Sequence, residues 1–383
     1  MGRVLILTIL TILKNIKKKI YLYNKIMKTG SMDLPLHGGQ APSWLFNRMK
    51  KLAREITLAI IIEYGTDEVL RRLSDPIWFQ SFGCVLGFDW HSSGLTTTVT
   101  GALKEGLKDE EKHIGIFFAG GKGRRGIETP KDIETAGDNG YINTEIGNSL
   151  VRSSRLVAKV DANALQDGYN IYHHFMVFDK KGKWIVVQQG MKVEKRYARR
   201  YHWISEGLKS FTSNPHKGII SEKTEHPLNL VDGEIEKTRQ DMVSISKEDT
   251  NSVVKEFKSI VLPSHHPLYP GDFKTEYLRK ILRKTREINP NDFENLLLVQ
   301  GVGEKTLRAL ALLSNIIFKS ELSFRDPALF SFAHGGKDGY PFPVDKETYD
   351  RSIEILKSAV NRAKLGDVEK INALKRLKQY TSS

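Results

Sequence analysis

The chain has 383 residues, enough for two domains of ordinary size, and an apolar content of 40% that supports real hydrophobic cores. Lysine and arginine total 59 against 45 acids, a formal charge of +14 that suits a polyanionic partner and argues against an acidic solvating segment. The single cysteine, Cys84, excludes within one chain a disulfide framework, a cysteine zinc site and a four-cysteine iron–sulfur cluster, and points to a soluble, intracellular protein of the cytoplasm.

Residues 1–26 carry six of the net charges and no acid, leaving +8 for the remainder. Their apolar run, Val4 to Leu13, is too short to span a membrane. The basic cluster follows that run instead of preceding it, which makes a poor signal peptide; the segment reads as a non-native or disordered leader, with a short membrane-surface helix as the rival reading, and no membrane partner is expected. From Pro42 the spacing of Leu45, Met49, Leu52, Ala53, Ile56, Ala59 and Ile60 predicts a helix ended by Gly65. Thr66 opens a second helix. Asp75-Pro76 opens a third, with proline at its favoured first position. A polar loop containing Asp89 and His91 interrupts before helix resumes at Thr96.

Strands follow. Ile114 to Ala119 runs into the glycine-rich Gly120–Gly126, and Ile171–Phe178 with Trp184–Gln189 flank a hairpin turn at 179–183. Residues 212–250 are polar and read as a linker. Residues 251–366 read as helical, and 367–383 as a basic tail. The fold class expected is α+β, with a helical and mixed-sheet domain over 27–211 and an all-helical domain over 251–366.

The stretch Leu296 to Leu307 carries the most specific signal. An apolar helix end passes through Gly301-Val302-Gly303 into a second amphipathic helix beginning Glu304-Lys305-Thr306. Two glycines let the backbone approach an anion closely, and the amides opening the second helix add positive potential there. Asn291 with Glu294 reads as a capping box for the first helix. In the second, Leu307, Leu310, Ala311, Ser314, Ile317 and Phe318 read as one buried face. The whole pattern resembles the helix-hairpin-helix, a module that grips nucleic-acid backbones without reading sequence. It also resembles the version found in DNA glycosylases. That likeness implies Lys305 as an imine-forming amine and Asp326 as the carboxylate that stabilises a cationic sugar. In hairpins that only bind, the same lysine contacts phosphate.

A second constellation lies on the strand hairpin, where His173, His174, Gln188 and Gln189 cluster. Alternation puts the two histidines on opposite faces. A divalent metal held by one of them with Asp161, Asp167 or Asp89 is possible, and cross-strand core pairing is the other reading. Lys122, Arg124 and Arg125 in the glycine-rich loop are candidate phosphate contacts, although the loop fails the P-loop pattern. Arg199 and Arg200, among Tyr197, Tyr201, His202 and Trp203, read as a nucleic-acid surface. The stretches 33–39, 89–94 and 334–339 together resemble an uncharacterised, mainly archaeal family. The leading expectation is a DNA-binding protein that repairs or processes DNA, as nuclease or glycosylase/lyase, with DNA favoured over RNA. The alternative is a non-catalytic nucleic-acid-binding protein that recruits a partner.

Overall fold

The computed structural model describes residues 42–88, 93–192, 194, 197–221, 225–259, 275–328, 330–331, 346–363 and 366–381. The leader, Asp89, His91 and the stretch 334–339 lie outside the described residues. The fold is α+β and has three layers, with a six-stranded sheet between two sets of helices.

The first set opens with α1 (Ser43–Tyr64), α2 (Thr66–Ser74), α3 (Pro76–Leu86) and α4 (Gly94–Leu107). Their starts follow the expected local chemistry. Asp75 caps α3, its Oδ1 accepting from the Ile77 and Trp78 amides at 2.9 and 2.8 Å, and Pro76 occupies the first turn. Met49, Leu52, Ala53, Ile56 and Ile60 form the buried stripe of α1. The short α5 (Glu111–Ile114) leads into β1 (Ile116–Lys122), and α6 (Arg124–Ile127), α7 (Thr129–Asp138) and α8 (Thr144–Lys159) follow. A single π-turn, Val160–Ala164, extends α8 and ends in β2 (Leu165–Gln166).

β3 (Asn170–Asp179), β4 (Trp184–Lys192), β5 (Tyr197–Ile204) and β6 (Gly218–Ser221) continue the main sheet. β7 (Leu228–Asn229) pairs with β2, and β8 (Phe330–Ser331) closes the large sheet. Its order is β1-β3-β4-β5-β6-β8, antiparallel except for the β6–β8 pair. Phe117, Met176, Phe178, Val186, Tyr201 and Trp203 face one core, and Phe118, Phe175, Val177, Ile185 and Val187 face the other. A sheet covered on both sides buries polar as well as apolar positions of its central strands.

Residues 212–250 are not a linker. They supply β6, β7, a 3₁₀ turn at Gly233–Ile235 and α9 (Glu236–Ile245), with Leu230, Val231, Ile235, Met242 and Ile245 buried. The polar composition misleads because Arg239 is itself buried, paired with Glu236 at 2.7 Å and donating to the Leu230 and Asp232 carbonyls at 3.1 and 2.7 Å. The described part of segment 251–366 holds helices and the short strand β8, and its helices divide between the layers. α10 (Thr250–Ser259), α11 (Thr275–Ile288), α12 (Phe293–Leu298) and α13 (Glu304–Phe318) join the face carrying Phe117 and Trp203. α14 (Lys346–Arg362) and α15 (Asp367–Thr381) join the face of α1 and α3. The expected basic tail is therefore partly packed: Ala373 and Leu377 are buried, and Arg376 donates to the Val85 carbonyl. No helix among the described residues is long and apolar enough to cross a membrane.

Candidate nucleic-acid interface

The helical hairpin α12–α13 turns through Val299–Gly303. Its first helix is capped by Asp292, whose carboxylate accepts from the Asn295 amide at 2.7 Å; Asn291 is not the cap. Glu294 is not a box partner either. It accepts from the Phe211 amide at 3.0 Å and pairs with Arg152. One residue decides this, because aspartate and asparagine cap equally well and tertiary packing selects between them.

Gly301 has φ +98°, and a Cβ there would lie 2.4 Å from Ile281 Cδ1 of α11. The fold requires glycine at that position. Gly303 differs, being extended at φ −138°, with the nearest atom to a Cβ, Asn163 Oδ1, 3.7 Å away. Neither amide makes a backbone hydrogen bond among the described residues, and both positions are partly exposed. Val302 is fully buried, so its side chain belongs to the core and not to the nucleic-acid-binding set that the resemblance implies.

The turn is held from two sides. The end of α8, the π-turn and β2 clamp one flank: Lys159 donates to the Val302 carbonyl at 2.9 Å, Asn163 Oδ1 accepts from the Glu304 amide at 3.2 Å, and Gln166 donates to the Glu304 carbonyl at 2.9 Å. Burial lowers the pKa of the Lys159 ammonium. On the other flank α11 presents Tyr277, whose hydroxyl donates to the Gly301 carbonyl at 3.0 Å, and Lys284, which donates to Gln300 Oε1 at 2.8 Å. Lys280 and Arg283 on α11 are exposed, as is Lys305 at the start of α13. Thr306 is buried and offers no surface contact. Ile317 and Phe318, expected on the buried face of α13, are about half exposed at 47% and 50%. The core ends one turn earlier, at Ser314.

Asp326 is not placed as a catalytic carboxylate. It lies in a buried ion pair, its Oδ2 2.8 Å from Arg199 Nη2, and it also accepts from the Glu225 and Ala328 amides at 2.7 and 3.1 Å. Arg199 bridges on to Asp167 at 3.0 Å. Burial raises the Asp167 pKa, while Arg199 and the Tyr201 hydroxyl, 2.6 Å away, oppose that rise. Arg199 and Arg200 are both fully buried, so neither is the surface cation the sequence suggested. Their strand is central and covered on both faces. Lys122, Arg124 and Arg125 do stand on the surface, with Arg124 paired to Glu128 at 2.9 Å.

The strand register assembles two lateral polar rows. Gly121, His174, Gln188 and Tyr201 share one face; Lys122, His173, Gln189 and Arg200 share the other. On the first, Ser154 bonds His174 Nε2 at 2.9 Å, and His174 Nδ1 lies 2.7 Å from Gln188 Oε1. The Gln188 amide donates to Asp161, and Asp161 also accepts from Trp203 Nε1 at 2.9 Å and His216 Nε2 at 2.6 Å. His216 and Ser154 went unnoticed in the sequence, where no spacing ties them to the strands.

On the second face, Thr100 Oγ1 donates to the Thr96 carbonyl at 2.8 Å and so accepts from His173 Nε2, 3.1 Å away. That leaves His173 Nδ1 a bare buried acceptor. Gln189 donates to the Ser93 carbonyl and the Tyr172 hydroxyl at 3.0 and 2.8 Å. Burial, then the neighbouring His174 and Lys122, push the His173 pKa down to about 3, so both histidines are neutral core groups on opposite faces. Among the described residues no cluster of three His, Cys, Asp or Glu side chains is grouped to hold a metal.

A family model described as protein of unknown function (DUF763) matches residues 30–344. No curated protein and no solved structure matches the chain.

Proposed function

The chain belongs to the DUF763 family, and we propose that it is a sequence-independent nucleic-acid-binding protein that grips a duplex DNA backbone. The grip is the helix-hairpin-helix formed by α12 and α13, together with the basic face of α11. The observation that carries this reading is the turn itself. Gly301 and Gly303 are partly exposed and their amides make no backbone hydrogen bond among the described residues; the exposed Lys305 opens the next helix, and α11, packed on the turn through Tyr277 and Ile281, carries the exposed Lys280 and Arg283. Amide donors together with cations are the chemistry a phosphate oxygen needs. The partly exposed hydroxyl-bearing ring of Tyr277 lies beside the turn.

Lys305 is here a phosphate contact. It stands on the surface, whereas an imine-forming amine needs burial to lose its proton, and Asp326 is tied to Arg199. A metal-assisted nuclease centred on His173 and His174 has no support from their geometry, since each lies in a separate core. The reading favoured is the non-catalytic one, with the buried sheet as scaffold.

The test is binding of the full chain to labelled duplexes of unrelated sequence at several salt concentrations. Affinity should fall steeply with salt and vary little with sequence. Borohydride should trap no covalent adduct on abasic DNA. A trapped adduct lost in Lys305→Gln would restore the lyase, and absence of duplex binding at low salt would overturn the reading.

A further inference from the structure

Beside the hairpin lies a surface groove of about 580 Å³, within the size range of small-ligand sites of roughly 300–1,000 Å³. It runs between the end of α11 and both ends of α12. Of its nine lining residues four, Asn289, Asn291, Asn295 and Gln300, carry carboxamides, four are apolar and one, Lys284, is charged. Asn289 takes φ +52° as it stops α11, and Asn291 was released from capping by Asp292. The side chains of Asn289 and Asn291 are exposed and form no hydrogen bond among the described residues. The one charged residue in the wall, Lys284, is already engaged by Gln300 at 2.8 Å.

Such a wall is poorly matched to a phosphate and well matched to an uncharged ring bearing donors and acceptors in its plane. A carboxamide carries an acceptor and two donors in one plane, the pattern that base edges present; Asn289 and Asn291 keep theirs unengaged among the described residues, whereas Gln300 Oε1 accepts from Lys284 and Asn295 Nδ2 donates to Asp292. The half-exposed Ile288 supplies an apolar surface for the ring. Gln300 also belongs to the hairpin turn, so groove and backbone grip share a residue. We infer that this groove receives one unpaired nucleobase adjoining the phosphate held at Gly301–Gly303. The substrate class is then duplex DNA interrupted by an unpaired nucleotide. The inference rests on the backbone-binding reading above.

The test compares a fully paired duplex with the same duplex carrying one extra unpaired nucleotide, using the full chain. The unpaired form should bind about tenfold tighter. With 2-aminopurine at the unpaired position, fluorescence should rise as the base leaves the helical stack. The variant Asn291→Leu with Asn295→Leu, both outside the turn, should lose the preference and the fluorescence change while keeping its affinity for paired duplex. Asn291→Ala alone, at an exposed position with no side-chain hydrogen bond among the described residues, should reduce the preference and leave the thermal unfolding transition unchanged. Equal affinity of the wild type for both duplexes would overturn the inference and leave the backbone-binding reading standing. So would a preference that persists in the double variant. Loss of binding to both duplexes in the wild type would remove the backbone reading itself.

Discussion

Asp326 sits 2.8 Å from Arg199, and both side chains are shut off from solvent. The pair fastens the loop after α13 to the middle of the sheet, and Arg199 continues to Asp167 on the far side. Removing one partner from a buried ion pair strands the other. Asp326→Asn should therefore cost about 3 kcal/mol, the lower end of the usual range because Arg199 retains Asp167. Urea unfolding would measure it. A variant with unchanged stability and altered chemistry on abasic DNA would show that Asp326 has a catalytic role instead.

The two glycines of the hairpin should separate stability from binding. Gly301→Ala puts a Cβ 2.4 Å from Ile281 at φ +98° and should destabilise by on the order of 2 kcal/mol. Gly303→Val meets nothing closer than 3.7 Å at its Cβ in an extended backbone. It should fold normally yet bind every duplex more weakly, because the branched side chain stands where phosphate approaches. Unchanged duplex affinity in a folded Gly303→Val protein would argue against the turn as the contact.

The cations of α11 should be visible in the salt dependence. On the proposed reading Lys280 and Arg283 both meet phosphate, so replacing them with glutamine should lower the slope of log affinity against log salt by roughly 1.8. Lys122→Gln, on the other exposed basic segment, serves as a comparison. A slope that falls with Lys122 but not with the α11 pair would move the interface to β1.

Stability should fall early on acidification. His173, His174 and His202 are held below the usual histidine value, chiefly by burial, so they stay neutral in the fold while the unfolded chain takes up protons below about 6.5. Stability is present above that pH and lost as pH falls toward the depressed folded values, about 3 for His173. Circular dichroism against pH should show a midpoint that rises in urea. Unfolding confined to the region below pH 3 would contradict the buried neutral histidines.

Glu111 works in the opposite direction. Burial raises its carboxyl to about 7, although it accepts the Phe118 amide at 3.0 Å. Its contribution is present below the ordinary carboxylate pKa and is lost as pH rises through about 7. Glu111→Gln keeps an acceptor for Phe118 and should stabilise the protein at pH 8, by roughly 1 kcal/mol once solvent screening is allowed for. Thermal melts at pH 5 and pH 8 should show the gain only at the higher value.

Local chemistry alone was sufficient to read much of this chain. The Met49–Ile60 stripe, the Asp75-Pro76 start, the strand hairpin around 179–183 and the glycine turn at 301–303 each depend on neighbours within a few residues. Period, caps and turn residues report such elements directly. The opposite facing of His173 and His174 followed from alternation in the same way. Tertiary structure decided everything that depends on which surfaces are covered. Arg199 and Arg200 look like a nucleic-acid surface until helices close over both sides of β5. Asp326 looks available until Arg199, 127 residues earlier in the chain, takes it up. The polar 212–250 segment looks like a linker until its few apolar residues find the sheet. A charged side chain carries the same letter whether it meets water or a buried partner. The difference lies in long-range packing, which has no period in the sequence.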